Sequence, residues 1–168
     1  MNDSGYPLGF LYWLHMLATL TWLGMQAALV LWVLPLGKRY LPSEEKTAFV
    51  SRTLKQVMPW EWFSALVLLA TGMFQMSANP YYGGFLAISN RWAYAILGKH
   101  IVYGLMLTVN GTLSMVFLPR LERAALLLQH GRPAPDAPAA ARRTGQLLWL
   151  NLGMGVLVLA LTALARAA

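Results

Sequence analysis

The apolar run Leu8–Leu36, LGFLYWLHMLATLTWLGMQAALVLWVLPL, decides the fold class of this chain. It contains no Asp, Glu, Lys or Arg, and it is longer than the roughly 20 mostly apolar residues that a helix needs to cross a bilayer. Three further segments are mostly apolar and long enough: Pro59–Ala78, Trp92–Leu118 and Gln146–Ala165. We therefore predict an all-α integral membrane protein with four transmembrane helices, about 8–36, 59–78, 92–118 and 146–165.

Composition supports the same class. Hydrophobic residues make up 58% of the chain and charged residues only 11%, whereas soluble domains have roughly 25% charged residues. We therefore expect the protein to be embedded in a lipid bilayer, which is its main partner. No internal repeat is evident, so residues 1–168 are expected to form a single domain. A cytoplasmic linker is expected at 131–145, because it begins with a Pro- and Ala-rich tract that is typical of a linker.

Basic residues indicate how the helices are oriented. By the positive-inside rule, the side with most Lys and Arg faces the cytoplasm. We therefore predict an antiparallel four-helix bundle, N-out/C-out, in a bacterial inner membrane. The net charge of +7 then reflects orientation and contact with anionic lipid, and nucleic acid is not an expected partner. Ten of the 13 basic residues lie in the first and third connections: Lys38, Arg39, Lys46, Arg52, Lys55, Arg120, Arg123, Arg132, Arg142 and Arg143.

Two histidines lie inside the predicted spans, His15 in the first and His100 in the third, where Lys99 precedes it. At about 1.5 Å per residue, both histidines lie roughly 10–12 Å inside the outer ends of their helices. Ionisable groups are costly in lipid, so residues at matched depth form a functional-site hypothesis. We expect helices one and three to bring them together near the outer leaflet.

Further polar residues continue along the same helical faces. Positions i, i+4, i+7 and i+11 share a face, and a polar stripe in a membrane helix is expected to face the bundle interior. Glycines within such a stripe permit close helix contact or leave room for a flat cofactor. The first helix carries His15, Thr19, Trp22 and Gln26; the third carries Lys99, Tyr103, Met106 and Asn110, and beside them His100, Gly104, Leu107 and Gly111.

A carboxyl group also falls within the second predicted helix. Glu61 lies between Trp60 and Trp62, just inside the cytoplasmic end of that helix. Aromatic residues prefer the membrane interface. We therefore expect Glu61 to be exposed there, with a proton-carrying role as the alternative.

Haem and copper are the two cofactors that these residue types suit. The chain has no cysteine, which excludes thiolate metal sites and thioether-linked haem. Imidazole is an axial ligand of haem iron, and imidazole with thioether suits Cu(I). A structural role, in which each histidine is only hydrogen-bonded to a neighbour, stays open. The candidate cofactor-binding residues are His15, His100, Lys99, Trp22, Gly104 and Asn110, and the candidate metal ligands are His15, His100, Met16 and Met76.

Short motifs across the chain resemble a known family. The runs Leu14–Ala18 and Thr21–Gly24 are similar to the first helix of the HemJ-type protoporphyrinogen oxidases and of the related copper-resistance D (CopD) membrane domain. The segment Arg52–Thr71 begins with basic residues and continues as an apolar helix up to Gly72. It resembles the second helix of the HemJ-type proteins and of the CopD domain. The segment from Lys99 through Asn110 to the exit Pro119-Arg120-Leu121 resembles the CopD pattern.

The resemblance implies roles for particular residues. His15 corresponds to the haem ligand of the HemJ-type proteins, and Lys99 to the lysine that this family pairs with it. The pattern departs at Asn110, where HemJ-type proteins usually have histidine, and this departure argues against a plain porphyrinogen oxidase.

Three functions are therefore expected as alternatives. The first is a haem b protein in a redox role, with a quinone or porphyrin-type substrate. The second is a copper-handling transporter component. The third is a structural accessory subunit of a larger respiratory or photosynthetic membrane complex.

Overall fold

A computed structural model of the protein describes residues 5–84, 88 and 90–167, and over these residues the fold is all-helical. Four of the described helical stretches are long and apolar enough to cross a membrane. The prediction of an all-α, multi-pass membrane protein is confirmed at this level. The spans, numbered one to four, are Pro7–Tyr40, Glu45–Ser77, Arg91–Gln129 and Ala137–Ala167.

Spans one and three each contain one π-helical turn. A π turn inserts an extra residue into the helix and is frequent at functional sites. Each turn is followed two residues later by a proline, Pro35 or Pro119, and a proline cannot donate a backbone hydrogen bond to the preceding turn. The elements are α1 Gly5–Ala28, a π turn Leu29–Val33, α2 Leu34–Tyr40, α3 Ser43–Ser77, α4 Arg91–Thr112, a π turn Leu113–Phe117, α5 Leu118–Gln129 and α6 Ala137–Ala167.

Span two begins well before its predicted start at Pro59. Helix α3 begins at Ser43 and continues through Pro59, although an internal proline removes one hydrogen bond and ordinarily breaks or kinks a helix. The turns before the proline pack in the core, because Leu54 and Met58 are buried there. This packing offsets the lost hydrogen bond. Because the helix starts earlier than predicted, the middle of span two falls at Glu61.

The predicted linker 131–145 is also mostly helical. Helix α5 ends at Gln129, and Gly131 follows it with φ +67°, a left-handed conformation that glycine adopts without strain. Helix α6 then begins at Ala137. Alanine has the highest helix propensity, and the buried side chains of Ala137 and Ala140 give this first stretch a packed face.

The spans associate as two hairpins. In the first, α1 packs mainly on α3; in the second, α4 packs mainly on α6. Gln75 Nε2 donates to the Leu11 carbonyl oxygen at 3.3 Å, which joins the end of α3 to the start of α1. Trp92 and Ala165 share a small apolar cluster, which joins the start of α4 to the end of α6. We call this the terminal end of the molecule, and the opposite end, which carries the ten basic residues, the basic end.

Two apolar clusters fill the interior. Because lipid is as apolar as these side chains, the clusters stabilise the fold through close packing rather than through removal from water. The terminal-side cluster has Trp22, Ala65 and Met106 as its buried members. The buried members of the basic-side cluster are Leu29, Val30, Leu54, Met58, Leu113, Leu121, Ala140 and Leu148.

The two hairpins bury residues at equivalent positions, although no repeat is evident in the sequence itself. The second π turn starts 84 residues after the first, at 113 against 29. Buried positions in α3 and α6 share one spacing. The equivalent buried sets are Trp22, Gln26 and Leu29 with Met106, Asn110 and Leu113, and Leu54, Met58, Glu61 and Ala65 with Thr144, Leu148, Asn151 and Gly155.

Candidate functional site

A cavity of about 1090 Å³ lies near the terminal end, lined by residues of both hairpins. Ligand pockets in proteins are typically about 300–1,000 Å³, so this cavity is large enough for a sizeable cofactor. Most of the residues predicted from the sequence line it together. They are His15, Met16, Trp22, Met76, Lys99 and His100.

His15 is held in one orientation and one tautomer by α3. The Thr71 hydroxyl donates to the Val67 carbonyl oxygen at 2.6 Å, which uses its single proton. The hydroxyl oxygen therefore accepts from His15 Nδ1, at 2.7 Å. The ring nitrogen Nε2 is then unprotonated and has no hydrogen-bond partner among the described residues, so its lone pair is available to a ligand.

The same ring lies beside Gly72 of α3. A Cβ atom placed on Gly72 would lie 3.4 Å from His15 Cε1, which is ordinary van der Waals contact. Position 72 is therefore next to the imidazole. Gly72 lines the cavity as well, and its missing side chain leaves space beside His15.

His100 presents a second imidazole at the edge of the cavity. Its Nδ1 lies 2.7 Å from the Ile96 carbonyl oxygen, one turn earlier in α4. Since a carbonyl can only accept, Nδ1 carries the proton and Nε2 again has the free lone pair. His100 is exposed, whereas His15 is half-buried. His15 is therefore the better-restrained of the two candidate ligands.

Two cations line the cavity toward the terminal end. Lys99 is half-buried on α4, and Arg166 is exposed near the end of α6. Lys99 lies within electrostatic reach of both Arg166 and His15. The sequence singled out Lys99 but not Arg166, because a basic residue at a helix end is common. Only the fold places this arginine on the cavity.

Aromatic side chains form the wall deeper in the bundle. The rings of Trp22 and Tyr103 meet edge to face with centroids 5.5 Å apart, a favourable arrangement for aromatic pairs. The Tyr103 hydroxyl donates to the Ala65 carbonyl oxygen at 2.6 Å, which ties α4 to α3.

Two predicted site residues, Gly104 and Asn110, do not line the cavity. The expectation that both stripes of span three face inward holds only in part for the His100 stripe: His100 and Gly104 are exposed, whereas Leu107 packs against the terminal-side cluster. The Lys99 stripe does turn inward, and its member Asn110 is 0% exposed.

Glu61 lies in a different environment from the one predicted. It was expected to be exposed at the cytoplasmic interface, but it is 0% exposed and lies midway along span two. The cause is the early start of α3, which shifts the span by about four turns relative to the predicted start. Four other polar residues that are 0% exposed lie in the other spans: Gln26, Asn110, Thr144 and Asn151.

The described residues contain no group of three or more His, Cys, Asp or Glu side chains that could together hold a metal ion. A metal in the cavity would therefore need an additional ligand such as a macrocycle or a thioether. A comparison of the chain with protein-family models, with curated proteins and with solved structures found no match.

Proposed function

We propose that the four spans form an antiparallel bundle in a bacterial inner membrane, with both termini outside. Support comes from the ten basic residues of the first and third connections, which lie together at the basic end. The positive-inside rule assigns that end to the cytoplasm. The cavity then opens in the outer half of the membrane.

We propose further that the cavity binds b-type haem in a redox role, as in the CopD/HemJ-like family that the motifs resemble. The observation that carries this proposal is the restrained imidazole of His15. Its Nδ1 donates to Thr71 and its free Nε2 belongs to a cavity-lining ring. Metal-binding histidines characteristically donate their second ring nitrogen in this way, which fixes the ring and raises the basicity of the ligand.

The remaining lining matches the other parts of haem. The macrocycle is flat and apolar, and the cavity wall is built largely from aliphatic and aromatic residues such as Trp22 and Leu68. The propionates are anionic, and Lys99 and Arg166 supply two positive charges near the terminal end. Haem would supply reversible one-electron transfer at its iron.

The protein residues have distinct roles in this proposal. His15 would hold the haem iron, together with His100 or with Met16 or Met76 in its place. Thr71 holds the His15 proton on Nδ1, and Gly72 leaves the ring room. The electron donor would be a quinol or porphyrin-type substrate that reaches the cavity from the lipid.

Copper handling is the second candidate, favoured by the presence of both thioether and imidazole groups on one cavity. Met16, Met76 and His15 line it together, and such ligands suit Cu(I). Met16 is 69% exposed, which makes it a poorly restrained ligand. An accessory subunit of a larger membrane complex, without its own cofactor, is the third.

An absorption spectrum of the purified protein separates these functions. Haem b gives a Soret band and an α-band after reduction, and we expect both to be lost in His15→Ala and weakened in His100→Ala. His130→Ala is the matched control, because His130 has the same Nδ1 contact with a carbonyl one turn earlier but is exposed outside the cavity.

Other outcomes contradict the haem proposal. Colourless protein that retains copper until His15 is replaced supports copper handling. Protein without haem or metal that co-purifies in fixed stoichiometry with a large complex supports the accessory role. Unchanged spectra in both cavity variants would remove His15 and His100 from the site.

A further inference from the structure

One fully buried polar residue lies near the middle of each span. They are Gln26, Glu61, Asn110 and Asn151, and each is 0% exposed; together we call them the polar ring. Within the described residues, none of their side-chain nitrogen and oxygen atoms makes a hydrogen bond. The Glu61 carboxyl faces the Gln26 amide without meeting hydrogen-bond geometry.

The polar ring forms one level between the two apolar clusters. Gln26 follows Trp22 by four residues and precedes Leu29 by three, and Asn110 stands in the same relation to Met106 and Leu113. On the helices of opposite direction the order reverses: Glu61 follows Met58 by three residues and precedes Ala65 by four. Asn151 repeats this spacing from Leu148 to Gly155.

The polar ring also lies one helical turn from the cavity. Trp22, Met106 and Gly155 line the cavity, and each is four residues from a ring member on its own helix. The Trp22 indole nitrogen is buried and has no hydrogen-bond partner in the described part of the chain. It is therefore a polar group between the cavity and the ring.

The unpaired side-chain atoms of the polar ring need hydrogen-bond partners. Each one is costly if nothing satisfies it, because it has lost its hydrogen bonds to water. The ring presents amide N–H donors from Gln26, Asn110 and Asn151 together with carbonyl and carboxyl acceptors. A metal cation would satisfy only the acceptors. Water satisfies donors and acceptors alike, typically with about three hydrogen bonds per molecule.

The surroundings of Glu61 also determine whether its carboxyl group is charged. No Lys or Arg side chain in the described ranges is buried, and Lys99 and Arg166 line the cavity. An isolated carboxylate in an apolar interior is far more costly than a carboxylic acid. Without a buried cation, the neutral acid is the stable form.

We propose that the polar ring is a proton-binding site, in which Glu61 holds a proton among ordered water molecules and exchanges it through the cavity. This role does not depend on what occupies the cavity. It gives the bundle a place to store a proton beside a site at which a substrate could be oxidised.

Infrared spectroscopy tests the site directly. The chain has six acidic residues, and the other five lie outside the apolar middle of the spans, so at neutral pH Glu61 is the one expected to be protonated. We expect wild-type protein in lipid to show a carboxylic-acid carbonyl band that shifts after exchange into D2O. Glu61→Gln, which is nearly isosteric, should abolish this band.

Glu122→Gln is the matched control, because Glu122 pairs with Lys55 at the basic end and should be ionised. The control should leave the band unchanged. Absence of the band from the wild-type spectrum overturns the proposal even if Glu61→Gln fails to fold. Survival of the band in Glu61→Gln overturns it too, and a band that does not shift in D2O overturns the water-filled, exchanging site.

Discussion

The two hairpins share one framework but carry different chemistry at equivalent positions. His15 in the first hairpin corresponds to Lys99 in the second, 84 residues later, and Glu61 corresponds to Asn151, 90 residues later. Thr71, which holds His15, has Leu161 as its counterpart. The first hairpin therefore carries the restrained imidazole and the buried acid, whereas the second supplies a cation and neutral amides. Two hairpins with equivalent buried positions can therefore carry different side-chain chemistry at those positions.

The largest expected effect concerns the histidine support that only the first hairpin has. Thr71→Val removes the hydroxyl that accepts from His15 Nδ1. We expect haem affinity to fall by about 10–100-fold, as is typical when a metal-binding histidine loses its second partner. Titration of the cofactor-free protein with haem measures this.

Thr108→Val is the control for that change. The Thr108 hydroxyl also bonds to the carbonyl one turn earlier, but it is exposed and holds no histidine. Equal affinity of the two variants would show that Thr71 does not support a ligand, and would remove the main difference between the hairpins.

A second prediction concerns packing where the second hairpin meets the first. Gly155 takes the place that Ala65 has in the first hairpin, and a Cβ there would contact Leu23 and lie 3.5 Å from Met106. Gly155→Val should lower the free energy of unfolding in detergent by about 1–3 kcal/mol, as overpacking does. Gly153→Val is the control, since nothing lies within 4 Å of a Cβ at that exposed position. Equal stability of the two variants would contradict the close approach of the hairpins.

A third prediction concerns the hydrogen bond that crosses between the hairpins beside the cavity. Tyr103→Phe removes the donor to the Ala65 carbonyl oxygen while it keeps the ring. The expected loss is about 0.5–1.5 kcal/mol of unfolding free energy. Tyr94→Phe, on the same helix but exposed, should change stability less, and the reverse order would contradict the contact.

The smallest expected effect belongs to the ion pair at the basic end. Lys55 Nζ lies 2.8 Å from Glu122 Oε1, with side chains 70% and 37% exposed. Exposed pairs contribute about 0–1 kcal/mol, and salt screens them. A double-mutant cycle of Lys55→Gln and Glu122→Gln, at low and high salt, should give a coupling energy in that range that falls with salt. A larger, salt-independent coupling would show that this end is more buried than the structure indicates.

Much of the fold could be predicted from sequence, because each span contains an apolar segment long enough to cross a bilayer. The sequence also indicated His15, Lys99 and His100 as neighbours, since their depths match along helices of known rise. The continuation of the second helix through Pro59 could not be predicted. A proline such as Pro59 is typical of a helix start. The helix continues through it because Leu54 and Met58, on the preceding turns, pack in the core.

The site was only partly predictable for a related reason. Periodicity shows which residues share a face, but it does not show which of two adjacent faces meets a neighbour. Lys99 and His100 begin adjacent stripes, and only the position of the first hairpin turns the Lys99 stripe inward and leaves Gly104 exposed. Arg166 joins the cavity through the same docking of helices that lie far apart in sequence.

By itself the sequence determined that this is a four-span α-helical membrane protein with its basic residues concentrated in two connections, because hydropathy, length and charge are local properties. Tertiary structure alone decided that Gln26, Glu61, Asn110 and Asn151 meet at one level and that His15 is held by Thr71 beside a large cavity. Those relations join residues up to 125 positions apart. They arise from how helices pack, which no single segment encodes.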